Sequence, residues 1–218
     1  MIHRAASNGD SPAEVGWGRF LSDPNEVITC DDHEVVVVYK RELRAREYLR
    51  AKIPLPPKLQ KGYVNLEATL LISTDVDPAH SSAYTRSGVE VFFRPHSEKY
   101  AKGENGKTPM HPKTEPFLTA SSLYGASEVT LRESGYKWEP ARRAQIRKLA
   151  SSLKNPCFDI YCHHRQNGVA AATTAKTKYA LVVTVSSKNT KDLYDQVVRT
   201  DAHILIPMRP QVQIEIPT

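Results

Sequence analysis

Apolar and polar residues alternate along most of the chain with a period of two, the spacing of strands with one dry face. In Tyr63 to Ser73 (YVNLEATLLIS), Val64, Leu66, Ala68 and Leu70 share one parity, while Tyr63, Asn65, Glu67 and Thr69 share the other. Gly88 to Arg94 places Val89, Val91 and Phe93 on one face, and Cys157 to His163 does the same with Phe158, Ile160 and Cys162. Val35 to Tyr39 is a β-branched run closed by an aromatic residue. Tyr179 to Val185 is almost continuously apolar, which predicts a strand either buried on both faces or central in its sheet. Val212, Ile214 and Ile216 alternate with Gln211, Gln213 and Glu215, predicting a closing strand.

Helical spacing is rare. Leu193, Tyr194, Val197 and Val198 predict one or two helical turns capped by Asn189 or Thr190. Arg41 to Arg50 has two readings. Its Glu, Leu, Arg and Ala content favours a helix, but Leu43, Ala45, Glu47 and Leu49 share a parity. A strand following Val35 to Tyr39 and pairing there is preferred. The prolines fall between these runs and mark loops and edges. Lys99 to Pro116 reads as the longest and most mobile loop, and Ala170 to Thr177, after Asn167-Gly168, as a second soft insertion. The fold class this predicts is all-β: roughly eight strands in a two-sheet β-sandwich, jelly-roll-like, with one or two short helices. Residues 1–26 read as an exposed lead-in, with a sharp turn at Gly16-Trp17-Gly18, and residues 27–218 as the sandwich.

Composition narrows the class. A chain of 218 residues, 40% hydrophobic, buries a full core without staples. No run of about 18 apolar residues suggests a membrane helix, and no secretory signal is expected. Three scattered cysteines argue against a disulfide framework and point to a reducing, cytoplasmic setting. The net charge of +6 is a weak pull toward polyanions. Its densest stretches, Lys40 to Lys52 and Arg142 to Lys148, alternate with apolar residues and read as solvated faces. Nucleic-acid binding is therefore expected to be at most weak, non-specific and steeply salt-dependent.

Candidate chemistry is sparse. Cys157, Cys162, His163 and His164 form the one Cys/His cluster, but the pair is C-x4-C without a second pair, and alternation puts Cys162 and His163 on opposite faces. The expectation is no metal and no cofactor. Asp75 and Asp77 before Pro78 read as an Asx-type turn rather than a calcium loop. No Gly-x-Ser-x-Gly elbow and no phosphate-cradling Gly-rich loop is present.

Several segments in order carry a family resemblance. They are Glu14-Val15-Gly16-Trp17-Gly18-Arg19, Ile53-Pro54-Leu55-Pro56, Ala68 to Ile72, Tyr84 to Pro95, Ser152 to Pro156, Tyr179 to Val185 and Asp192-Leu193-Tyr194. Together they resemble the C-terminal, post-catalytic β-sandwich region of large bacterial subtilisin-like serine peptidases. The resemblance implies that Gly16-Trp17-Gly18 follows the last helix of a catalytic domain, with Met1 to Ala6 as that helix's tail. The family's Asp, His and Ser settings would lie upstream. Asp10-Ser11 is followed by Pro12 rather than Gly, and neither a His-Gly pair nor a Gly-Thr-Ser segment occurs, so no catalytic residue carries over. The expected function is a non-catalytic domain packing on a protease catalytic domain, with self-association through the Trp17 region. The alternative is a stand-alone module for an acidic partner or nucleic acid.

Overall fold

The structure is a computed structural model and describes residues 2–6, 9, 16–19, 29–79, 84–101, 111–125, 127–133, 138–165, 176–206 and 208. Its strands are β1 (Glu34–Arg44), β2 (Tyr48–Lys52), β3 (Tyr63–Ser73), β4 (Ser87–Arg94), β5 (Tyr100–Ala101), β6 (His111–Pro112), β7 (Ala141–Leu149), β8 (Cys157–His164) and β9 (Lys176–Ser186). Short helices accompany them among the described residues: α1 (Ala120–Tyr124), α2 (Glu128–Glu133) and α3 (Leu193–Asp201).

Antiparallel pairing is nested like a long hairpin: β1 with β9, β2 with β8, and β3 with β7. The hairpin is rolled, so that β9 also pairs with β3 and β8 also pairs with β4. Two sheets result, in the orders β1-β9-β3-β7 and β2-β8-β4. Successive long strands alternate between the sheets, which is the jelly-roll path. The predicted fold class therefore stands.

The period-two pattern decides which side of each strand is dry. Val35, Val37 and Leu43 of β1 line up with Val185, Val183 and Thr177 of β9, and Val185, Val183 and Leu181 of β9 with Leu66, Ala68 and Leu70 of β3, all facing inward. From the other sheet come Val89, Val91 and Phe93 of β4 and Phe158, Ile160 and Cys162 of β8. The rings of Phe93, Phe117 and Phe158 meet with centroids 5.6–5.8 Å apart and fill one end of the interlayer space. As its apolar run predicts, β9 is central, flanked by β1 and β3.

Several expectations are corrected. Arg41 to Arg50 is not one strand pairing beside Val35 to Tyr39. β1 ends at Arg44, and β2 belongs to the opposite sheet. Arg46 adopts φ 66°, and the Arg44 amide donates to the Glu47 carboxylate at 2.8 Å, turning a corner. Parity hid this turn because Leu43 and Leu49 point into the core on either side of it. The α3 cap is Asp192 (φ 55°, without a side-chain capping bond), not Asn189 or Thr190. The helix is oriented instead by Leu193, whose amide donates to the Asp32 carbonyl and whose side chain is fully buried.

The lead-in is not uniformly exposed: His3 and Ala5 are 5% and 2% exposed on the outer face of the four-stranded sheet. Nor is Arg142 to Lys148 only a solvated face, since Arg142 is 1% exposed. α1 was not foreseen, although Thr119 caps it by accepting from the Ser122 amide and Gly125 ends it at φ 63°. The Lys99 to Pro116 loop contains the β5–β6 ladder. Residues 102–110, most of the Ala170 to Thr177 insertion and the Val212 to Ile216 closing strand lie outside the described residues.

The free edges of β4 and β7 are tied together. A single bridge, Phe93 with Glu115, stands beside β4. From β7, the Arg142 guanidinium reaches across the interior to the Glu90 carboxylate at 3.2 Å and to the carbonyls of Val89 and Leu118. Among the described residues, this ion pair links the two sheets at that edge.

Candidate functional site

β8 carries the Cys/His set, and the strand splits it. Cys162 is fully buried in the core, whereas Cys157 and His163 take the outer parity. His164 closes the strand with Nε2 3.3 Å from the Thr177 hydroxyl. Burial pushes the thiols of Cys157 and Cys162 up, so both are protonated at neutral pH. Among the described residues, no three His, Cys, Asp or Glu side chains gather closely enough to hold a metal ion. Asp75 and Asp77 form a turn: Asp77 Oδ1 accepts from the Ala79 amide at 3.1 Å, and Asp77 pairs with Arg86 at 3.3 Å.

The structure builds His163 into an aromatic row on the outer face of the three-stranded sheet. Gly88 sits across the ladder from His163, and a Cβ there would lie 2.5 Å from His163 Nε2. Only glycine lets the imidazole lie over the strand. The Trp138 ring meets it edge-on at 4.8 Å, and Arg165 stacks 4.1 Å above Trp138. Tyr161 continues the row, with Tyr48 of β2 at 4.7 Å and 61% exposed at its open end. Beside it runs an ion row: Arg50 Nε to Asp159 at 2.7 Å and Arg94 to Asp159 at 3.3 Å.

Ser87, 4% exposed, lies in a chain in which Thr74 and Thr177 each approach its hydroxyl to 2.7 Å. His164 reaches Thr177 rather than Ser87. A base on the neighbouring hydroxyl, with the serine sealed from solvent, leaves no place for a substrate carbonyl.

On the outer face of the four-stranded sheet, His3 bridges two strands, with Nδ1 2.8 Å from the Thr69 hydroxyl and Nε2 2.7 Å from that of Thr184. Burial, then the neighbouring Arg4 and Arg143, lowers its pKa to about 4. Arg143 holds the same turn by donating to the Ala5 carbonyl at 2.6 Å while pairing with Glu67. Sequence reasoning missed this latch because its partners lie 66 and 181 residues away.

Next to the latch, a groove of about 640 Å³ runs between the outer face of β1 and α3. Val36, Val38, Val182, Val198, Leu205 and Met208 give it apolar walls. Val38, Ile204, Ile206 and Met208 are 42%, 58%, 90% and 60% exposed. The Gly16-Trp17-Gly18 turn is sharp as predicted, with φ 56° at Gly16 and 107° at Gly18. Gly18 packs on the Ala6 backbone so closely that a Cβ would fall 2.6 Å from a backbone carbon. Trp17 stands 42% exposed at its tip.

No helix among the described residues is long and apolar enough to cross a membrane. No family model matches the chain, and no curated protein matches its sequence. Two solved structures show a distant likeness. One, described as the crystal structure of the T13 IBDV viral particle, has 14% identity and a TM-score of 0.32 over 80% of this chain and 37% of that one. The other, of infectious bursal disease virus Gt strain, has 12% identity and a TM-score of 0.30 over 80% and 38%. The chain thus spans little more than a third of their length, and scores this low carry no conclusion about what it does.

Proposed function

We propose that this chain is a non-catalytic jelly-roll building block that works by packing on copies of itself, as a subunit of a protein shell. The observation that carries the reading is the nested, rolled strand order, an architecture used by viral capsid domains as well as by lectins and cupins. A fold alone hosts many functions, and two further features favour packing. Phe93, Phe117 and Phe158 occupy interlayer space that a ligand-holding barrel would keep open. Large apolar side chains, Trp17, Val38, Ile204, Ile206 and Met208, stand at the surface, where apolar patches mark contacts with other chains. Light scattering and electron microscopy of the full chain, across concentration and ionic strength, test this. The expected result is closed multimers; a strictly monomeric chain under all conditions overturns it.

A second reading is favoured by the Gly16-Trp17-Gly18 turn: a non-catalytic domain packing on the catalytic domain of a subtilisin-like serine protease. The exposed indole of Trp17 sits where the sequence resemblance expects a domain junction. A stoichiometric complex with a separately produced catalytic domain, lost in Trp17→Ala, is its expected signature. Under both readings the chain does not react with a fluorophosphonate probe, and a labelled serine that disappears on heat denaturation counts against both.

A further inference from the structure

We infer that the β1–β2 corner is a binding site for single-stranded nucleic acid, in which cationic side chains hold phosphates and Tyr48 stacks a base. The site is independent of whether the chain packs on itself or on a protease. Residues 40–52 carry Lys40, Arg41, Arg44, Arg46, Arg50 and Lys52 against Glu42 and Glu47, a surplus of four positive charges out of the chain's net +6. The fold adds to this. β9 pairs alongside with Lys176 opposite Arg44 and Lys178 opposite Glu42, so two more cations join the corner. Those two lysines lie 3.6 and 4.0 Å from Glu42 and offset it.

The positive charge is available to a ligand. Arg50 and Lys52 are engaged by Asp159 and Asp201, both at 2.7 Å. Lys40, Arg41, Arg44 and Arg46 are all exposed, and none is paired with a carboxylate among the described residues. Arg41 has the inward parity of β1, yet at the sheet edge it emerges to solvent, so the basic band wraps the edge rather than lying on one face. Charge of one sign concentrated at a corner raises the local potential well above what a net +6 spread over the surface gives.

Charge alone would suit any polyanion, and Tyr48 selects among them. Its ring is 61% exposed and is buttressed from the sheet by Tyr161, with centroids 4.7 Å apart. It lies two residues beyond the positive-φ Arg46 that turns the corner. An aromatic face held rigidly near exposed cations is the kind of platform on which single strands stack, since every base presents a π-face. A duplex hides its bases in the stack, and a lipid surface offers no ring to the tyrosine.

The test is fluorescence anisotropy of a labelled oligouridylate with the full chain, from low to physiological salt. Binding is expected at low salt, with the logarithm of affinity falling against that of salt by about 0.7 for each phosphate neutralised. Arg41→Ala/Arg44→Ala/Arg46→Ala should flatten that slope by about two. Tyr48→Ala should weaken the single strand about ten-fold or more while leaving duplex binding unchanged, and Tyr48→Phe should keep the affinity. Circular dichroism of each variant confirms that the exposed substitutions leave the sandwich folded. No binding at low salt overturns the inference. So does equal affinity for heparin, duplex or phosphatidylserine vesicles with no dependence on Tyr48.

Discussion

At neutral pH His3 is a neutral imidazole between two hydroxyls, donating to one and accepting from the other. Its unfolded pKa is near 6.5 and its folded value about 4, so the unfolded chain binds more protons between those limits. The latch's contribution is therefore complete above about pH 6.5 and is lost as pH falls through 4, a change on the order of 3 kcal/mol. Thermal melts from pH 7 to pH 4 should show this decline in the parent chain and a shallower one in His3→Gln. Parallel declines would mean that the imidazole does not titrate there. Gly88 is equally specific in its demands, because its missing Cβ is the space His163 occupies. Gly88→Ala should destabilise by about 1–3 kcal/mol in urea unfolding, as overpacking does. Trp17→Ala, at a 42% exposed site, should cost under about 1 kcal/mol, whereas Phe158→Ala in the core should cost about 3–5 kcal/mol. A large loss for Trp17→Ala would make it a core cap rather than a contact residue.

At the level of elements, the open edge between β4 and β7 is held by Arg142 and Glu90, 1% and 7% exposed. Removing one partner leaves the other buried and charged, which costs more than the pair contributes. Arg142→Ala should therefore lose about 3–5 kcal/mol, and Arg142→Met/Glu90→Gln should recover much of it. Urea unfolding of the two variants decides, and equal losses would show that the ion pair does not bridge the sheets. Part of this was legible. In β7, Arg142 shares its parity with Ala144 and Ile146, the inward residues. The basic run around it looked solvated because sequence does not say which neighbouring edge offers a carboxylate. The same gap hid the β1–β2 corner, where Leu43 and Leu49 keep one parity across a change of sheet.

For the whole molecule, the rolled hairpin leaves two outer faces with different character. The four-stranded face carries the His3 latch and the apolar groove beside α3, and the three-stranded face carries the aromatic and ion rows. Packing through the groove and charge at the β1–β2 corner respond oppositely to salt. If the assembly is built on the groove, Val38→Lys should reduce multimer mass in light scattering without lowering the melting temperature by more than a few degrees. Unchanged mass would move the contact elsewhere on the surface.

The sequence by itself determined the inward faces of β3, β4 and β8 and the central place of β9, because burial on a pleated sheet writes a period of two or an apolar run into the chain. It also placed the turn at Gly16-Trp17-Gly18, where local backbone needs decide the residues. Only the tertiary structure decided that β1 and β2 part into different sheets, that His3 sits on Thr69 and Thr184, and that Arg142 reaches Glu90. These outcomes depend on which distant strands meet, and pairing between residues far apart in the chain leaves no local period to read.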